Sequence, residues 1–189
     1  LLVALLCPAC TEPEVIEELI AYSTADQQLD HGFEASLAHP RMCASGSTLF
    51  VVWHDDRRAG KNQVFLQVGR AGGSSWLESE VQVSAGTVDD RETVAENPEI
   101  ACAGDQVYIL WEDDRESEIG HRNIWFATWD DSAEQRRIVD TRRVNQDPEG
   151  EYDAITPAIA VDYDPSVGPD REIYMAWADD RAGAYDIHF

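Results

Sequence analysis

The sequence predicts an all-β fold, a partial β-propeller of four-stranded antiparallel blades with about two and a half blades present. Three observations predict it. The pentapeptide Trp53-His54-Asp55-Asp56-Arg57 returns as Trp111-Glu112-Asp113-Asp114-Arg115 and as Trp177-Ala178-Asp179-Asp180-Arg181, at intervals of roughly 60 residues. Each copy ends an apolar run rich in β-branched and aromatic residues and too short for a helix. Each run follows a proline-led segment, Pro40 to Ala44, Pro98 to Cys102 and Pro157 to Val161. A β-sandwich accommodates such strands but does not require a near-constant repeat.

In chain order, residues 1–10 form an apolar start and 11–37 a leader. The units cover 38–84, 96–145 and 155–189. The second strands, Leu49 to Trp53, Val107 to Trp111 and Ile173 to Trp177, are apolar at nearly every position. That pattern calls for burial on both faces. Third strands follow each Asp-Asp-Arg turn at Val64 to Val68, Ile124 to Thr128 and from Ile187. Fourth strands close the first two units at Glu80 to Ser84 and Thr141 to Asn145. The leader segment Val15 to Ser23 resembles these fourth strands and is a candidate ring-closing strand. Its Glu17, Glu18 and Leu19 also suit a short helix. The third unit stops inside a strand, so a propeller reading expects further blades beyond Phe189.

The Pro-x-Ile-Ala and Val-Tyr-x-x-Trp-x-Asp-Asp-Arg segments resemble the sialidase-like β-propellers that carry the bacterial neuraminidase repeat, or Asp-box. The resemblance spans residues 38–189. It implies a propeller and, for some members, glycoside hydrolysis. The Asp-box pattern Ser-x-Asp-x-Gly-x-Thr-Trp is degenerate here. In Gly69 to Trp76, Gly73, Ser75 and Trp76 fit, and Ala71 replaces the aspartate. No motif assigns the arginine triad, the Tyr/Glu nucleophile pair or the acid/base aspartate of those enzymes, so the catalytic residues are unknown.

Lysine and arginine number 14 against 37 acidic residues, a net charge of −23. That balance argues against nucleic-acid binding, which needs a cationic surface. It suits a solvated acidic surface or a basic partner. The opening Leu1 to Cys10 resembles the end of a secretory signal. Ala9-Cys10 resembles a lipoprotein cleavage site with Cys10 lipidated, although Cys7 stands where leucine is usual. The expected location is therefore extracytoplasmic: periplasmic, surface-anchored or secreted. Membrane contact is expected only through that anchor.

Cys43 and Cys102 lie one register apart in the first strands of adjacent units. Neighbouring strand residues face opposite ways, so stacked blades can turn the two sulfurs toward each other. The readings are an inter-blade disulfide or two buried thiols.

The repeat-turn residues Trp53, Asp55, Asp56, Arg57, Trp111, Asp113, Asp114, Arg115, Trp177, Asp179, Asp180 and Arg181 read first as structural. A turn carboxylate accepts backbone N–H groups, and the arginine is expected to pair with a neighbouring blade. The alternative is a rim of carboxylates for Ca²⁺ or sugar hydroxyls. Asp162, Asp164 and Asp170 form a Ca²⁺ candidate that lacks the Asp-Gly and distal glutamate of an EF-hand loop. No cofactor is required. The five histidines show no zinc-ligand spacing. Trp129 is a candidate for stacking on a sugar. Three functional classes remain. One is a non-catalytic exported propeller presenting loops to a glycan or protein. Another is an exo-sialidase-like hydrolase with most of its catalytic residues beyond this sequence. The third is a structural surface lipoprotein with no small ligand.

Overall fold

The computed structural model describes residues 28–30, 35–58, 60–85, 87–89, 91–132, 135–146, 151–164, 166, 168 and 170–189. The candidate signal region, the candidate lipidation site Cys10 and the candidate closing strand lie outside these residues. Among the described residues there are fourteen strands, one 3₁₀ turn (Ala71–Gly73) and no α-helix. All strand pairing is antiparallel.

Three sheets follow one another along the chain. The first joins β1 (Leu37–Ser45), β2 (Thr48–Arg58) and β3 (Lys61–Arg70), edged by the short β4 (Ser75–Trp76) and β5 (Val81–Gln82). A small hairpin, β6 (Thr87–Val88) with β7 (Arg91–Glu92), leads to the second sheet. That sheet has the order β11-β10-β9-β8, from β8 (Ala95–Ala103), β9 (Gln106–Asp113), β10 (Asn123–Asp130) and β11 (Arg137–Arg143). The third is β12 (Ala154–Asp162), β13 (Glu172–Asp179) and β14 (Asp186–His188). The polar hairpin carries no apolar alternation, so nothing in the sequence signals it.

Side-chain alternation decides how the sheets stack. Val107, Ile109 and Trp111 of β9 meet Phe50, Val52, Val64 and Leu66 of the first sheet. The opposite face of β9, with Tyr108 and Leu110, meets Trp177, Ile173 and Met175 of the third. The second sheet is thus covered on both sides, and its β9 is buried at all but its first position. β8 lies beside β1 on one side and β12 on the other. The first strands therefore sit next to each other, and each later strand of a unit lies farther out.

Covalent and ionic ties reinforce this stacking. Cys43 and Cys102 are joined by a disulfide, with Cα atoms 5.9 Å apart. Arg41 Nε donates to Glu99 Oε1 at 2.8 Å. The Arg70 guanidinium pairs with both oxygens of Asp131, and Arg171 pairs with Asp105 at 3.0 Å.

Each Trp-x-Asp-Asp-Arg copy builds a knot that closes its arginine on the first aspartate, and the first two copies add a bond from the indole. The first aspartates, Asp55, Asp113 and Asp179, are fully buried. Trp53 Nε1 donates to Asp55 at 2.8 Å, and Trp111 Nε1 donates to Asp113 at 2.9 Å. The arginine backbone N–H donates to the same carboxylate in all three copies. So does its guanidinium, at 2.5 Å in each. The second aspartates reach back to the entry of the unit's first strand. Asp56 accepts from Ser36 N, Asp114 from Val94 N and Asp180 from Asp153 N, at 2.8, 2.8 and 2.9 Å. The arginines thus differ from the expectation of a neighbouring blade. Each closes on its own turn, because the turn brings it back over the carboxylate two residues earlier.

Trp129 also differs from its expectation. It is 3 % exposed and packs in the core between the first two sheets. Its Nε1 donates to Asp131 at 3.2 Å, repeating the indole–carboxylate clamp at the opposite end of the sheet.

Candidate functional site

The site begins with prolines that cannot join a sheet ladder. Proline lacks the donor N–H, so within a strand it is confined to an edge or a bulge. In each unit the pairing of first and second strands skips at this point. The breaks fall between Ala38 and Arg41, between Glu96 and Glu99, and between Ile155 and Ala158. The residue before each proline adopts a left-handed backbone: His39 at φ 54°, Asn97 at φ 52° and Thr156 at φ 51°. None is glycine, so each carries strain of about 1–3 kcal/mol that its surroundings must hold.

The holding groups come from the preceding unit. Asn97 N donates to His54 Nδ1 at 3.0 Å. Thr156 N donates to Glu112 Oε1 at 2.8 Å. His54 and Glu112 occupy the same place, the variable position of Trp-x-Asp-Asp-Arg. The residue after the tryptophan therefore fastens the next unit's bulge. The sequence does not mark this position, because its identity changes from copy to copy and the group it serves is main chain.

Glu112 is the centre of this array. It is 1 % exposed. Its Oε1 also accepts from Asn97 Nδ2 at 2.9 Å, and Arg122 Nη1 lies 3.6 Å from Oε2. Burial raises its pKa, opposed by the hydrogen bonds from Thr156 and Asn97 and by the Arg122 charge. Arg122 pairs more closely with Glu96, at 2.5 Å, and Asn62 Nδ2 donates to Glu96 at 2.9 Å. His54 is also buried, and the ring of His39 stacks on it at 5.2 Å. Its pKa is lowered, first by burial, with Glu96 pulling the other way.

Above these buried groups opens a cleft of about 210 Å³, lined by His39, Arg41, Asn97, Glu99, Glu112 and Thr156. Drug-sized ligands occupy about 300–1,000 Å³. This cleft therefore suits one polar side chain or one small ring rather than an extended ligand. Its polar lining is partly paired within itself, Arg41 with Glu99 and both Asn97 and Thr156 with Glu112.

Replacing Glu112 separates its two roles. Glu112→Gln keeps the Oε1 acceptor and removes the buried charge. Glu112→Ala leaves two donors without a partner, at a cost of about 1–3 kcal/mol. A carboxyl whose pKa is raised on folding contributes stability below its unfolded value and loses it as pH rises through the folded one. The stability of the Gln variant relative to the native chain should therefore increase from acid to neutral pH, read by urea unfolding.

The other candidate residues lie elsewhere. Asp55, Asp113 and Asp179 are consumed inside their turns and do not form an open rim of carboxylates. Asp162, Asp164 and Asp170 line a shallow acidic hollow at the opposite end of β12. There Asp164 Oδ1 accepts from both Ser166 N and Ser166 Oγ. Among the described residues no three His, Cys, Asp or Glu side chains converge to hold a metal ion. Among those residues no helix is long and apolar enough to cross a membrane. In comparisons with known proteins, the chain matches no protein-family model, no curated protein and no solved structure.

Proposed function

We propose that this protein is an exported, non-catalytic β-propeller of the sialidase-like type, whose rim cleft takes a glycan or a protein side chain. The carrying observation is that neighbouring first strands are bulged at one level, and their bulge residues line one polar cleft. The face-to-face order of the sheets, with first strands adjacent, fits blades around an axis. The Cys43–Cys102 bond fits an oxidising compartment, and lipidation at Cys10 would then hold the protein at a membrane surface.

A binding role suits the way the charged groups are used. The conspicuous aspartates and arginines satisfy one another inside the turns, while His39 and the Glu99-paired Arg41 stand exposed at the cleft mouth. Screening the complete protein on a glycan array, followed by titration of any hit, tests this. His39→Ala and Arg41→Ala should each weaken binding about tenfold, in line with one lost polar contact. Their melting temperatures should stay close to that of the native chain.

The hydrolase reading draws on Glu112, a buried carboxyl with raised proton affinity beside Arg122. Release of a fluorogenic group from a sialoside, abolished by Glu112→Gln, would replace the binding proposal with that one.

A further inference from the structure

The fastening of Asn97 by an imidazole has a chemical consequence. A backbone N–H can only donate, so His54 Nδ1 must present a lone pair. The His54 ring is then neutral, with its proton on Nε2. A second proton would sit on Nδ1 and face another donor at 3.0 Å. The equivalent bond between Thr156 and Glu112 has no such weakness, because a carboxyl keeps an acceptor oxygen in either state.

We propose that His54 is an acid-sensitive latch: neutral, it holds the left-handed bulge at Asn97, and protonated, it releases that bulge and the cleft wall built on it. The latch works between units, since His54 lies in β2 and Asn97 lies in β8. It does not depend on which ligand the cleft takes.

The surroundings set where the latch responds. His39 on β1 stacks against the ring, Asp55 follows it on β2, Glu96 approaches from β8, and Arg122 lies just before β10. Burial, His39 and Arg122 oppose protonation, and Glu96 and Asp55 favour it. Burial prevails, so the folded pKa falls below the ordinary value of 6.5. The stabilisation from the neutral ring is complete above 6.5 and is lost as pH falls through the folded value. Released, Asn97 keeps only the contact of its side chain with Glu112, and its strained φ loses a main-chain restraint.

Nitrogen-15 NMR of the full chain, from roughly pH 7.5 to 4.5, tests the latch by following the Asn97 amide and the His54 ring together. The amide shift should move with the midpoint of the imidazole. Its hydrogen-exchange protection, corrected for intrinsic rate, should fall roughly five- to tenfold across that midpoint. In His54→Asn, whose side-chain oxygen stands near the Nδ1 position and does not titrate, the Asn97 amide should stay flat. An amide that ignores the imidazole titration in the native chain overturns the proposal. So does a titration that persists in the variant, since it would belong to another group. Should His54→Asn fail to fold, the two midpoints of the native chain decide alone.

Discussion

Asp113→Asn should destabilise the protein by about 3–5 kcal/mol, the cost of breaking a buried ion pair from one side. For a chain of this size that lowers the melting temperature by about 10 °C. The loss is large because every group aimed at Asp113 is a donor: Trp111 Nε1, Arg115 N and Arg115 Nη2. Only a carboxylate offers acceptors on all sides. Asparagine keeps the shape but turns an NH₂ toward one of these donors, so Asn and Ala should cost similar amounts. Arg115 would be left buried without its counter-charge, although its stacking over Trp125 at 3.9 Å persists. The third copy provides an internal comparison. There Trp177 Nε1 has no acceptor, and the Arg181 side chain is 30 % exposed against 9 % for Arg115. Water reaches the Arg181 side of that pair, so Asp179→Asn should cost less than Asp113→Asn, about 1–3 kcal/mol. Equal losses at Asp113 and Asp179, measured by thermal and urea unfolding, would refute the argument that burial sets the strength of the knot.

These knots mark what was legible in the sequence. An indole, a carboxylate two residues on and an arginine two further make a local device, so its residues recur together and can be seen in one strand of text. The β-character of the runs before each tryptophan was equally plain. The cleft was not legible. It depends on where Pro40, Pro98 and Pro157 push the chain out of register, and on main-chain N–H groups that every residue except proline possesses. His54 and Glu112 do the same task with different chemistry, and Ala178 in the third copy has no acceptor at all, so no motif survives to be read. Trp129 misled for a related reason. Its exposure depended on the second sheet being covered on both faces, a fact of stacking rather than of local pattern.

Removing the Cys43–Cys102 bond should cost about 4 kcal/mol, the chain-entropy value for a loop of this length, because the bridged residues are 59 apart in sequence. The Cys43→Ala, Cys102→Ala double variant avoids a buried free thiol, and urea unfolding gives the loss directly. The bond also reports on how the units repeat. Aligned on their prolines, Cys43 corresponds to Ala101 and Ala160, and Cys102 to Ala44 and Val161. Cys43 and Cys102 pack against the core between the first and second sheets. One register along, Ala101 is buried on the side of β8 that carries Ala103, and Val161 packs against that second core. If one packing operation relates each sheet to the next, Ala101 and Val161 meet as Cys43 and Cys102 do. The Ala101→Cys, Val161→Cys variant should then oxidise spontaneously, because a disulfide needs Cα atoms about 4.4–6.8 Å apart with facing Cβ atoms. A non-reduced digest should contain the new cross-linked peptide beside the native one, and thermal stability should rise. Free thiols at both positions would mean that the second interface is built differently from the first, and that the regular spacing of the tryptophans is not matched by a regular stacking of the sheets.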